Sequence, residues 1–175
     1  MNPRRIGAVL AIVASILVLA GTFSSRWLTA PGDVDGGVGL TGMEVCGPRY
    51  GHTTYGGYSN CITRDWDQIV GEARGDKDLK LLATAAMVAV IGSIAAASLL
   101  GFVGVAALVT TRTLSIASIL AAIGAVLALL GAIATAVILL RYFRHERFAL
   151  GYSIYLYGAG CVAGVVGSIL ARGRA

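Results

Sequence analysis

Residues 6–25 read IGAVLAIVASILVLAGTFSS, twenty residues without a charge, held between Arg5 and Arg26. A helix rises about 1.5 Å per residue, so roughly 20 apolar residues cross the ~30 Å of hydrocarbon in a bilayer. Three further uncharged runs follow: 81–111 with 31 residues, 113–140 with 28 and 148–171 with 24. Each is long enough for one span and too short for two. The 6–25 run is also longer than the ~7–15 residue apolar region of a signal peptide and reads as a retained helix.

The composition agrees. Of the 175 residues, 57% are hydrophobic and 13% charged, and the mean hydropathy is +0.79. An ordinary soluble domain carries about 25% charged residues, so a soluble enzyme and a disordered tail are excluded. The net charge of +5 does not point to nucleic acid, because the 14 basic residues are scattered between apolar blocks rather than gathered in a stripe.

These runs predict an all-α membrane protein, a four-transmembrane-helix bundle with a small antiparallel β-sheet in its first extracytoplasmic loop. Residues 1–5 form the N-terminal segment. The spans are 6–25, 81–111, 114–140 and 148–171, joined by a loop at 26–80, a turn at 112–113 and a short link at 141–147. Residues 172–175 close the chain. The 55 residues of the first loop exceed the ~12–15 expected of a plain connection, so this loop is the candidate extramembrane domain. Val38–Val45 (VGLTGMEV) and His52–Ser59 (HTTYGGYS) read as short strands. Trp66, Ile69, Val70 and Ala73 fall at i, i+3, i+4 and i+7, the spacing of a short amphipathic helix entering the second span. Arg74-Gly75-Asp76 is read as capping and charging that entry.

With four spans both termini share a side with Arg112. That side holds Arg4, Arg5, Arg112, Arg172 and Arg174 and no acid, which favours cytoplasmic termini, whereas the basic link 141–147 (RYFRHER) points the other way. Cys46 and Cys61 decide it. They lie in the large loop and pair most readily in an oxidising compartment. The predicted location is therefore a plasma or inner membrane, with both termini cytoplasmic.

Chemistry is sparse. No Asp, Glu, Lys, Arg or His lies inside any span, and intramembrane charges are what mark proton relays and ion paths. A Cys46–Cys61 disulfide stapling the loop competes with a redox pair. The redox reading fails for want of a C-x-x-C and of a second shuttle pair, since Cys161 stands alone. His52 and His145 lie in different loops and are too few for a zinc site. No catalytic residue, metal or cofactor is expected. Gly160 and Gly164, with Ser168 at the next i+4 position, form a small-residue stripe of the kind that packs helices closely. Gly7, Ala11 and Ser15 repeat that spacing. Tyr152, Tyr155 and Tyr157, with Trp27 after the first span, suit an interfacial aromatic belt.

The layout resembles the claudin and peripheral myelin protein superfamily. The likeness rests on Trp27 after the first span, the pair Gly39-Leu40, Cys46 and Cys61, and Arg74 near the end of the loop; Thr41 stands where that family has a further Trp. It implies a left-handed four-helix bundle with a loop sheet above the membrane. The functional expectation is a non-enzymatic structural, adhesive or accessory subunit, its partners being the lipid bilayer and another membrane protein or a second copy. Tyr55 and Tyr58 are the candidate contacts, because Tyr is enriched at interface hot spots. The competing expectation is a small transporter or channel component.

Overall fold

The computed structural model describes residues 2–29, 36–46, 61–72, 76–110, 115–143 and 148–172, the side chains at 45, 46 and 61 excepted. Among these residues lie four long apolar helices, α1 (Pro3–Phe23), α3 (Lys77–Val109), α4 (Ser115–Tyr142) and α5 (Tyr152–Ala171). The short helix α2 (Trp66–Glu72) precedes α3, and strands β1 (Leu28–Thr29), β2 (Gly36–Val38), β3 (Gly42–Cys46), β4 (Cys61–Asp65) and β5 (Ala149–Leu150) build a sheet. All four long helices have the length and hydropathy to cross a membrane, the pattern of a multi-pass membrane protein.

The helix starts follow from local chemistry. Asn2 caps α1, its Oδ1 accepting from the Arg4 N–H at 3.1 Å, with Pro3 next, where its missing N–H costs nothing. Asp76 caps α3, its Oδ1 accepting from the N–H groups of Asp78 at 2.9 Å and Leu79 at 3.2 Å. Its carboxylate also suits the positive end of the helix dipole. The 33 residues of α3 extend about 50 Å, well beyond a hydrocarbon layer, so its charged first turns stand clear of the apolar part.

The helices form a ring in which α1 packs against α5 and α3, and α4 packs against α3 and α5. The interior is made of small side chains: Ala8, Ala11, Ala14, Ala97, Ala121 and Ala125 are fully buried. The large aliphatics point outward, with Ile16, Val88, Ile91, Phe102, Ile116 and Leu127 between 59% and 74% exposed. In water this order would be reversed, because burying Leu, Ile and Phe is what drives a soluble core together. Small residues inside let backbones approach and gain dispersion contacts, the solution used where lipid removes the hydrophobic drive.

The sheet is antiparallel throughout, in the order β4-β3-β2-β1-β5. Two details around the sheet differ from the sequence reading. Residues 38–45 are not one strand: β2 ends at Val38 and β3 begins at Gly42, the Gly39 N–H donating to the Gly42 carbonyl at 2.8 Å to close a hairpin. At Gly42 φ is +157°, and a Cβ there would lie 2.2 Å from the Arg64 carbonyl oxygen, so only glycine fits. The fourth span begins at Tyr152 rather than at 148, because Ala149 and Leu150 pair with Thr29 and Leu28. The sheet thereby recruits a strand from the second link, and Gly151 passes so close that a Cβ would sit 2.0 Å from the Arg26 carbonyl oxygen. Trp66, Leu79, Leu82, Leu28, Val38 and Leu139 form the cluster that seats sheet and α2 on the ends of α3 and α4.

Candidate functional site

Trp27 leaves α1 and turns inward. It is fully buried, its Nε1–H donates to the Gly21 carbonyl at 2.6 Å, and its ring meets Tyr157 edge-on at 5.3 Å. This differs from the expected interfacial belt. A buried indole needs an acceptor, and the last turn of α1 offers free carbonyls. Gly21 makes room, since a Cβ there would lie 2.8 Å from Tyr157 Cβ.

Gly39 and Leu40 sit beside this junction. A Cβ on Gly39 would meet the Ser24 carbonyl oxygen at 2.3 Å, so the hairpin presses directly on the end of α1. Leu40 is fully buried in one cluster with Trp27 and Tyr157, and its carbonyl accepts from Trp66 Nε1–H at 3.0 Å. Three positions that carry the resemblance are thus brought together at the seam between sheet and bundle. Arg74, Tyr55 and Tyr58 lie outside the described residues, as do His52, His145 and the strand expected at 52–59. The backbone register sets Cys46 directly opposite Cys61 across β3 and β4.

On α5, Gly160 faces Leu17 and Val18, and Gly164 faces Leu100 and Ala14. Gly167 abuts the backbone of Gly7 and Ala11. Ser168 is fully buried with its Oγ unpartnered among the described residues. This stripe therefore looks inward and joins α5 to α1 and α3.

The sequence reading missed the polar centre of the bundle. Tyr157 is buried, its hydroxyl 2.5 Å from Ser93 Oγ and 3.3 Å from the Ala128 carbonyl it donates to. Ser93 Oγ also lies 2.6 Å from the Ala89 carbonyl, so its single proton serves either that carbonyl or the Tyr157 oxygen. One hydroxyl thus links α5 to α3 and α4. The signal was available: the stripe at 160, 164 and 168 continues backwards through Tyr157 and Ser153, whereas Tyr152 and Tyr155 fall on the exposed face.

No protein-family model matches this chain, and no curated protein matches it either.

Outside the spans, charged groups cluster where sheet meets bundle. Asp76 accepts from the Tyr142 hydroxyl at 3.0 Å, tying the start of α3 to the end of α4. Its pKa lies below the ordinary carboxylate value, first through the Leu79 N–H and then through Tyr142. Ser25 Oγ donates to Glu44 at 2.5 Å, and Arg64 pairs with Glu72. Among the described residues no three His, Cys, Asp or Glu side chains converge in the manner of a metal site.

The sheet ends differently on its two sides. Both outer strands have a single strand neighbour among the described residues, but β5 is two residues long and leads straight into α5, whereas β4 runs for five residues. Ile62 on β4 is exposed. An open strand edge is a ready template for pairing with another chain.

Proposed function

We propose that this chain is a non-enzymatic, four-pass integral membrane protein that acts as a structural, adhesive or accessory subunit, its first-loop sheet docking a neighbouring membrane protein or a second copy. The observation that carries this reading is the division of labour between bundle and sheet. The bundle is inside-out for water and closed by Ala and Gly contacts, while β4, among the described residues, has a strand neighbour on one side only. A transport role draws less support, because among the described residues the buried polar side chains of the spans are Ser, Thr and Tyr with no ionised group, and Thr22, Ser93, Thr135 and Tyr157 lie against helix carbonyls.

Cytoplasmic termini are favoured by Arg4, Arg5, Arg112, Arg172 and Arg174 against the basic link 141–147, with the cysteines of the large loop tipping the balance, and would put the sheet on the extracytoplasmic side. There we propose a Cys46–Cys61 disulfide, supported by the backbone register of β3 and β4. It would close a loop of about 15 residues, worth roughly 3 kcal/mol in the chain-entropy treatment.

The test is co-purification in mild detergent of the wild type, of Tyr55→Ser/Tyr58→Ser and of Ile62→Lys, which puts a charge on the β4 edge. The proposal predicts a partner or self-association in the wild type that one or both variants lose. A partner-free monomer, or full retention of every partner by both variants, refutes it.

A further inference from the structure

A groove of about 540 Å³ runs between the sheet–α2 junction and the outer face of α3. Asp65 and Asp67 line it from the β4–α2 junction, and Lys80, Ala83, Met87 and Ile91 line it from α3, with Lys80 nearest the start of that helix. The α3 residues fall at i, i+3, i+7 and i+11, a single helix face. Met87 and Ile91 are 54% and 63% exposed, so the groove opens sideways onto the apolar surface of the bundle. From Lys80 to Ile91 the helix rises about 16 Å, close to half of a hydrocarbon layer. Charge at one end and one leaflet of apolar wall below it match the dimensions of a phospholipid.

The charges narrow the choice. Among the described residues Asp65, Asp67 and Lys80 make no ion pair, while neighbouring Arg64 is paired with Glu72. A lining with two carboxylates and one ammonium complements a headgroup that carries both a cation and an anion. A purely anionic headgroup would face both aspartates, and a quaternary ammonium has no N–H to donate to them. Resting on the membrane reading above, we infer that this groove binds one zwitterionic phospholipid bearing a primary ammonium. The ammonium meets Asp65 and Asp67, the phosphate meets Lys80, and one acyl chain lies along Ala83, Met87 and Ile91.

The experiment is native mass spectrometry of the full chain released from detergent micelles, with phosphatidylethanolamine, phosphatidylglycerol and phosphatidylcholine of matched acyl chains at equal concentration. One phosphatidylethanolamine should be retained about fivefold better than either competitor, the scale of exposed charge pairing. Asp65→Asn/Asp67→Asn should lower its retention about fivefold and raise that of phosphatidylglycerol, whereas Lys80→Gln should weaken all three lipids alike. Equal retention of the three lipids, or unchanged phosphatidylethanolamine binding in the double variant, overturns the inference while leaving the membrane reading standing. A chain that stays monodisperse without detergent overturns both.

Discussion

The contact between α1 and α5 makes the sharpest prediction, because glycines on one helix meet very different surroundings. A Cβ at Gly167 would lie 2.7 Å from the Ala11 backbone nitrogen and 3.0 Å from the Gly7 carbonyl oxygen. Ordinary contact begins near 3.4 Å, so α1 must withdraw by about 0.7 Å along this stretch and surrender its close packing. At Gly164 the nearest atom is Leu100 Cδ1 at 2.8 Å, the end of a flexible side chain that can turn aside. At Gly158 nothing lies within 4 Å. Gly167→Ala should therefore cost about 1–3 kcal/mol, the usual penalty for overpacking. Gly164→Ala should cost less, and Gly158→Ala should be neutral or stabilising by up to about 1 kcal/mol, the helix propensity gained over glycine. Reversible unfolding in mixed detergent–SDS micelles, followed by circular dichroism, measures all three. Equal effects at 158 and 167, or the reverse order, refute the packing described for α1 and α5.

Trp27→Phe leaves the Gly21 carbonyl buried without its donor and should destabilise by about 1–3 kcal/mol in the same assay, whereas Tyr155→Phe on the exposed face should do nothing measurable. Non-reducing peptide mapping of protein from intact membranes should find Cys46 linked to Cys61 and Cys161 as a free thiol; Cys46 and Cys61 both free contradict the disulfide. Because the folded pKa of Asp76 is depressed, its contribution to stability is complete above the ordinary carboxylate pKa and is lost as pH falls through the lower, folded value. Asp76→Asn should flatten that acid dependence, and an unchanged acid profile in the variant would refute the role given to this cap.

The four helices were legible because charge is costly in an apolar environment, so Arg5, Arg26, Lys80, Arg112, Arg141 and Arg147 fence the uncharged runs. Their ends were less so. Residues 148–151 are as uncharged as a span, and only the demand of β1 for a second neighbour shows that Ala149 and Leu150 are strand. The hairpin at Gly39–Gly42 was hidden for a related reason: Val38–Val45 alternates well enough for one strand, and the close approach of Arg64 to Gly42 is a tertiary fact. Trp27 and Tyr157 carry the same ambiguity, since an aromatic near a span end suits an interface or a buried polar joint. What separates the two is the acceptor that each finds, Gly21 for the indole and Ala128 for the phenol. Asp76, by contrast, was readable as a cap from its place before an apolar run.

The central claim is that the four helices cross a membrane an even number of times and leave the sheet outside. Single-cysteine variants Ser59→Cys and Gly173→Cys, in a chain whose native cysteines are replaced by serine, put one thiol in the first loop and one at the far end. Labelling with a membrane-impermeant maleimide in intact cells should modify position 59 at once and position 173 only after permeabilisation. Labelling of 173 but not 59 in intact cells contradicts the orientation, and labelling of both contradicts the spans themselves.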